Sequence, residues 1–185
     1  MTAGQLDFGE NRVQEALQKM DGSADLRIRW HLIGTLQSNK VRKAAPRFSA
    51  IHSVDSLKLL EAIDQAAAEA GTTPEVLVQV DLAGEATKHG APPADASAIV
   101  RAGTRCRAAR LAGLMTIPPY FDDPEKTRPY FSELRDLRAT LLKEGLPPES
   151  LRDLSMGMSH DFEIAVQEGA TIVRLGTAIF GTRRV

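Results

Sequence analysis

Short runs rich in Val, Ile and Leu alternate along this chain with longer stretches whose apolar residues recur every three or four positions, and Gly, Pro, Asp and Ser separate them. The first pattern suits a buried strand and the second an amphipathic helix, so their alternation predicts βα units around a parallel sheet. Seven strands are predicted, over 7–11, 29–34, 50–54, 75–81, 110–117, 151–156 and 171–176. Over 56–70, Leu57, Leu60, Ile63 and Ala67 line one helical face, with Asp55 as N-cap and Gly71 as C-cap. A second long helix is expected to take Asp123 as N-cap and Pro124 at its first position, to bury Phe131, Leu134, Leu137 and Leu141, and to stop at Gly145 before Pro147. Shorter helices are predicted over 12–20, 38–45, 93–102 and 159–168, with one extra turn at 177–180.

Seven βα units are one short of the eight in a TIM barrel, which takes about 250 residues and rarely fewer than about 200. With 185 residues the chain suffices for one buried core and not for two, so residues 1–185 are read as a single domain. Thr2-Ala3-Gly4-Gln5 resembles the C-terminal end of a helix, followed at once by a strand. The missing unit is therefore expected at the N-terminus.

Charge and composition narrow the function. Lys plus Arg number 23 against 24 for Asp plus Glu, a net charge of -1 without a long like-charge run, so no nucleic-acid partner is expected. No stretch approaches the roughly 18 apolar residues of a membrane span, and the first residues have neither a basic nor an apolar signal region. A cytoplasmic protein without a membrane partner is the expectation. The single Cys106 forms no internal disulfide and excludes a site built on several thiolates.

In parallel α/β folds, chemistry gathers at the carboxyl ends of strands. The first predicted strand ends in Phe8-Gly9-Glu10-Asn11, where Asn11 is either an amide aimed at a ligand or a cap for the next helix. In the turn opening the helix over 38–45, Ser38 or Asn39 reads as an N-cap. His31 and His52 fall on neighbouring strands, as a metal pair lacking a third ligand or as hydrogen-bonded core histidines. The strongest signal lies on the last two strands, at Leu154-Ser155-Met156-Gly157-Met158-Ser159 and Arg174-Leu175-Gly176-Thr177. A barrel's recurrent phosphate site uses these two loops and a short extra helix. Gly157 and Gly176 would let a phosphate reach backbone N–H groups, and Ser159 and Thr177 would add hydroxyl donors. Ser159-His160-Asp161 is no catalytic triad, because consecutive residues at a helix start diverge.

Phe8-Gly9-Glu10-Asn11 with Val13-Gln14-Glu15, Trp30-His31-Leu32-Ile33-Gly34 with Leu36-Gln37-Ser38-Asn39-Lys40, Gly113-Leu114-Met115, and the two C-terminal motifs through Gly181 closely resemble the pyridoxal phosphate homeostasis protein family. The resemblance implies a TIM (β/α)8-type barrel of the alanine racemase N-terminal domain type, with the first βα unit absent from this chain. It further implies a non-catalytic protein of vitamin B6 homeostasis that binds pyridoxal 5'-phosphate (PLP). By the same resemblance Ser159, Gly176 and Thr177 would surround the phosphate, with Ser155, Met156 and Gly157 shaping that pocket. Asn11 would face the ring, and Arg174 would point at the pyridine nitrogen.

In that family the Schiff-base lysine lies on the first barrel strand, in a Val-Ser-Lys-Thr-like segment upstream of the first motif. The lysines here are Lys19, Lys40, Lys43, Lys58, Lys88, Lys126 and Lys143; none has that context, and Lys40 comes nearest to the ligand face. PLP is therefore expected to bind without a covalent link. The full-length form is expected to be monomeric, and the present form to self-associate through two open strand edges. The alternatives are a PLP-dependent amino-acid racemase and a barrel for another phosphorylated metabolite.

Overall fold

The computed structural model describes residues 4–84 and 90–181. Residues 2 and 3 of the expected helix end, and Lys88, lie outside them. Seven parallel strands pair in the order of the sequence: β1 (Asp7–Glu10), β2 (Arg29–Leu32), β3 (Ala50–Val54), β4 (Glu75–Gln79), β5 (Arg110–Met115), β6 (Asp153–Met158) and β7 (Ile172–Arg174). Between them run α1 (Val13–Asp21), α2 (Val41–Ala44), α3 (Leu57–Ala70), α4 (Pro93–Gly103), α5 (Arg128–Lys143) and α6 (Phe162–Gln167), and α7 (Thr177–Phe180) follows β7. The sheet curls into a nearly closed barrel. His52 on β3 and Ser155 on β6 are hydrogen-bonded at 2.9 Å, whereas strands three places apart in a flat sheet would be about 14 Å apart. β1 and β7 are the edges of this sheet, and no pairing joins them among the described residues.

Period-two alternation divides the strand side chains between two regions. Val76 and Val78 of β4 and Leu154 and Met156 of β6 face outward, into one large cluster with Leu60, Ile63, Ile99, Phe131, Leu134 and Leu141 of the helices. Leu77, Ala112 and Met115 form a separate small cluster. With Ser155, between Leu154 and Met156, they belong to the inner face.

Several boundaries differ from expectation for local reasons. Ser56, not Asp55, caps α3: its Oγ accepts from the Leu59 N–H at 3.3 Å, while Gly71 ends the helix in the left-handed region at φ 66°. Asp123 does cap the Glu125 N–H, but the segment Pro124–Thr127 is a 3-10 turn, and α5 begins only at Arg128. Phe131, Leu134 and Leu141 are buried there and Leu137 partly so. Leu151, expected to open a strand, instead ends the 3-10 turn Pro148–Leu151, so β6 runs two residues later than expected. The helix expected over 159–168 is shortened because the Asp161 carboxylate accepts from the Met158 N–H at 2.7 Å and holds residues 159–161 in a turn. α7 occupies the expected 177–180.

Candidate functional site

The loops after β6 and β7 meet at one hydroxyl. Ser159 Oγ accepts from the Gly176 N–H at 3.0 Å and the Ala178 N–H at 3.2 Å. Ser159 thus caps no helix of its own; it gathers the amides at the start of α7. A side chain at Gly176 would meet no atom within 4 Å, so the backbone there faces open space, and Thr177 beside it is exposed. Gly157 has a different reason to be glycine. Its φ is +91°, and a Cβ would stand 2.5 Å from the Ala165 Cβ, so packing of β6 on α6 excludes any side chain. Met156 is fully buried in the outer cluster, which leaves only its backbone to the inner side.

Arg174 closes β7. Its guanidinium donates to Ser155 Oγ at 2.7 Å and to the Thr116 carbonyl at 2.9 Å. Both acceptors are neutral, and Arg174 forms no ion pair among the described residues. Burial lowers its pKa to about 10, against an upward pull from the Asp161 carboxylate. It is still a cation at neutral pH.

From Ser155 the polar contacts continue around the barrel. His52 Nδ1 lies 2.9 Å from Ser155 Oγ, and His52 Nε2 lies 2.9 Å from His31 Nδ1. His31 Nε2 in turn lies 3.0 Å from Asp7 Oδ1, and Arg29 donates to Asp7 Oδ2 at 2.6 Å. Burial above all, with the Arg174 charge behind it, pushes His52 down to about 3, so its imidazole is neutral at physiological pH. Burial pulls the Asp7 carboxyl upward, but hydrogen bonds from Arg29 and His31 outweigh it and hold the group below its ordinary value.

The two histidines therefore form a hydrogen-bonded pair in the interior. Among the described residues no group of three or more His, Cys, Asp or Glu is placed to hold a metal ion. Sequence reasoning brought forward Ser155, Ser159, Arg174, Gly176 and Thr177, but not Asp7, Thr116 or Asp161, which complete the network. Asn11 follows β1 with its backbone against Gly34, where a Cβ would stand 2.2 Å from the Asn11 carbonyl oxygen. Arg12, at the N-cap of α1, and Gln37, before the turn at Ser38–Lys40, make no side-chain cap, so Asn11, Ser38 and Asn39 do not cap those segments. The six described lysines lie on helices or 3-10 turns, and Lys19 pairs with Glu10.

Residues 1–184 match the family described as alanine racemase, N-terminal domain. The chain is 45% identical over 177 residues to the pyridoxal phosphate homeostasis protein of Aquifex aeolicus, covering 96% of this chain and 77% of that one. It is 46% identical over 182 residues to the protein of the same name from Pseudomonas aeruginosa, covering 98% and 76%. Among solved structures, PipY of Synechococcus elongatus with PLP bound superposes with a TM-score of 0.90 at 44% identity, covering 97% of this chain and 84% of that one.

Proposed function

The chain belongs to the family of the alanine racemase N-terminal domain, and from that premise we propose that it binds PLP and serves PLP homeostasis in the cytoplasm without catalytic turnover. The observation that carries the reading is Arg174, a cation held by a hydroxyl and a carbonyl rather than a carboxylate, beside the loop amides that Ser159 gathers. Arg174 and Thr177 are three residues apart, at most about 10 Å of chain. One ligand with an electron-rich ring and a phosphate suits that spacing and donor set. The name of the relatives and the PLP held by PipY support the same cofactor.

In this reading Ser159, Gly176 and Thr177 hold the phosphate, and Arg174 donates to the ring nitrogen. Met156 and Gly157 contribute through the turn they build, and Asn11 borders the ring side. Bound PLP supplies an electron-accepting ring. Arg174 weakens that property, because a persistent cation at the ring nitrogen disfavours its protonation. The site is thereby suited to holding the cofactor more than to stabilising carbanions. None of the described lysines lies on a strand, so PLP is held reversibly, through phosphate and ring. Residues 1–185 act as one barrel domain, monomeric where the edges of β1 and β7 are covered and self-associating where they are not.

Titration of the chain with PLP, followed by dialysis and by borohydride reduction, tests this. The expected result is saturable binding that dialysis removes, with no cofactor mass retained after reduction. PLP retained at one defined lysine, Lys40 first among those to inspect, would overturn the reversible mode. Absence of saturable binding would overturn the function. Competition by inorganic phosphate and by other phosphorylated metabolites decides the alternative that the loops allow, a barrel for a different phosphate ester. That alternative requires such a metabolite to displace PLP at lower concentration than PLP itself binds.

A further inference from the structure

The contacts that run from Arg174 to Asp7 have a direction that both ends dictate. A guanidinium can only donate, and an ionised carboxylate can only accept. At the Asp7 end, His31 Nε2 must carry the proton it gives to Asp7 Oδ1, and Nδ1 is an acceptor where the ring carries no second proton. His52 Nε2 must then donate to it, and His52 Nδ1 must accept from the Ser155 hydroxyl. At the other end, Ser155 Oγ receives the Arg174 N–H and has one proton of its own to place. The serine is fully buried, and His52 Nδ1 is its acceptor among the described residues. The Ser155 proton therefore selects this arrangement, and the Asp7 carboxylate accommodates it. Arg174 gives to Ser155, Ser155 to His52, His52 to His31 and His31 to Asp7, and every proton in the row is used.

We propose that Asp7, His31 and His52 are positioning residues for Arg174, holding its guanidinium in a fixed place through a one-way row of hydrogen bonds that crosses the barrel interior. The proposal rests on the reading of Arg174 as the group that meets the PLP ring. Four considerations favour it over a merely structural network. His52 and Ser155 are fully buried, where polar groups cost free energy and well-packed apolar side chains of similar volume would be as stable or more so. The outer cluster already supplies the apolar core of the fold. The row draws on five different strands, β1, β2, β3, β6 and β7, so it assembles only when the barrel closes. Its donor end is the residue that faces the phosphate loop, while its acceptor end is anchored by Arg29 away from it.

Ser155 takes a new role in this arrangement. It is the joint between the row and Arg174 rather than a wall of the phosphate pocket. A substitution at position 52 tests the direction as well as the presence of a side chain. Glutamine can accept from Ser155 with its carbonyl oxygen and donate to His31 with its amide. Leucine can do neither.

The first experiment needs no cofactor. Long-range proton–nitrogen NMR on the histidine-labelled chain should show both His31 and His52 neutral, with the proton on Nε2 of each. A proton on Nδ1 of His52 or His31 would overturn the direction. The Arg174 guanidinium protons, followed by the same method, should exchange with water about tenfold faster in His52→Leu than in the unsubstituted chain, and His52→Gln should restore slow exchange. With PLP, His52→Leu should bind about tenfold more weakly and His52→Gln within about threefold of the original, because a loosened Arg174 misaligns the charge-assisted hydrogen bond it gives the ring. Equal exchange in all three chains, each shown to be folded by circular dichroism, would overturn the positioning role. If the tautomers and exchange rates come out as expected while the unsubstituted chain binds no PLP, the row stands and the proposed function falls.

Discussion

The two sides of the sheet obey opposite rules. On the outer side, residues such as Ile51, Val76, Leu114 and Leu154 meet the helices in a continuous apolar cluster that needs no partner of particular chemistry. On the inner side, a small apolar cluster of Leu77, Ala112 and Met115 shares the interior with Asp7, His31, His52, Ser155 and Arg174, each hydrogen-bonded to two particular neighbours. The outer side gains free energy from buried area, which is non-directional and tolerant of exchange. The inner side gains little net stability from its hydrogen bonds and much specificity, because any member left unpaired is penalised. Buried apolar area and directed polar contacts thus lie on opposite faces of the same strands, and substitutions on the two faces should fail in different ways.

The largest effect is expected on the outer face. Phe131 is fully buried on α5, and Phe131→Ala should cost about 3–5 kcal/mol in denaturant unfolding, through lost transfer free energy and the cavity left behind. The fraction that remains folded should bind PLP as the unsubstituted chain does. Reduced affinity in that fraction would show that the two faces are not separable.

The next test uses acid. His52 titrates near 3 in the folded protein, below the ordinary imidazole value of 6.5, so between those values the unfolded chain binds more protons than the folded one. Stability should therefore rise with pH across that window, with the His52 contribution complete above about 6.5 and lost progressively toward about 3. His52→Gln should show a shallower slope than the unsubstituted chain between pH 6.5 and 4. Parallel slopes would mean that His52 is solvated and outside the row.

A smaller change is expected at the loop after β7. Thr177→Ala should weaken PLP binding by about tenfold or more, the value of a hydroxyl donated to a charged acceptor at about 1.5–3 kcal/mol. The ligand-free melting temperature should hardly move, because Thr177 is exposed. Unchanged affinity in the titration would remove Thr177 from the site. Smallest of all is the effect of Arg29→Ala on stability, expected below about 1 kcal/mol because its ion pair with Asp7 is solvent-exposed.

How much of this was legible in the sequence follows the same division. Outer-face residues repeat with the period of their element, so all seven strands could be placed from pattern, whereas the helix at Thr177–Phe180 was expected only by analogy with other barrels. Period two puts Met156 on the opposite face from Ser155, yet the motif resemblance grouped both around one pocket; the Met156 side chain packs in the outer cluster. Ser56 and Asp55 are both good capping residues, and only the backbone decides which of them reaches an open N–H. The inner row was hidden for a deeper reason. His52 and Ser155 stand 103 positions apart, and their contact exists only because the sheet curls. A sequence shows that two histidines fall on adjacent strands, but not which groups close the row at either end. The resemblance to PLP homeostasis proteins supplied Arg174; the structure supplied what holds it.

Whether the inner face is a PLP site organised on Arg174 is decided by calorimetric titration of Arg174→Ala with PLP, alongside the melting temperature of the same variant without ligand. Affinity should be at least about tenfold weaker, because a hydrogen bond from a charged donor is lost, with a smaller fall in ligand-free stability from the partner that Ser155 and the Thr116 carbonyl each lose. Unchanged affinity, or a loss of ligand-free stability as large as the loss in binding free energy, would contradict that assignment and make Arg174 a structural residue.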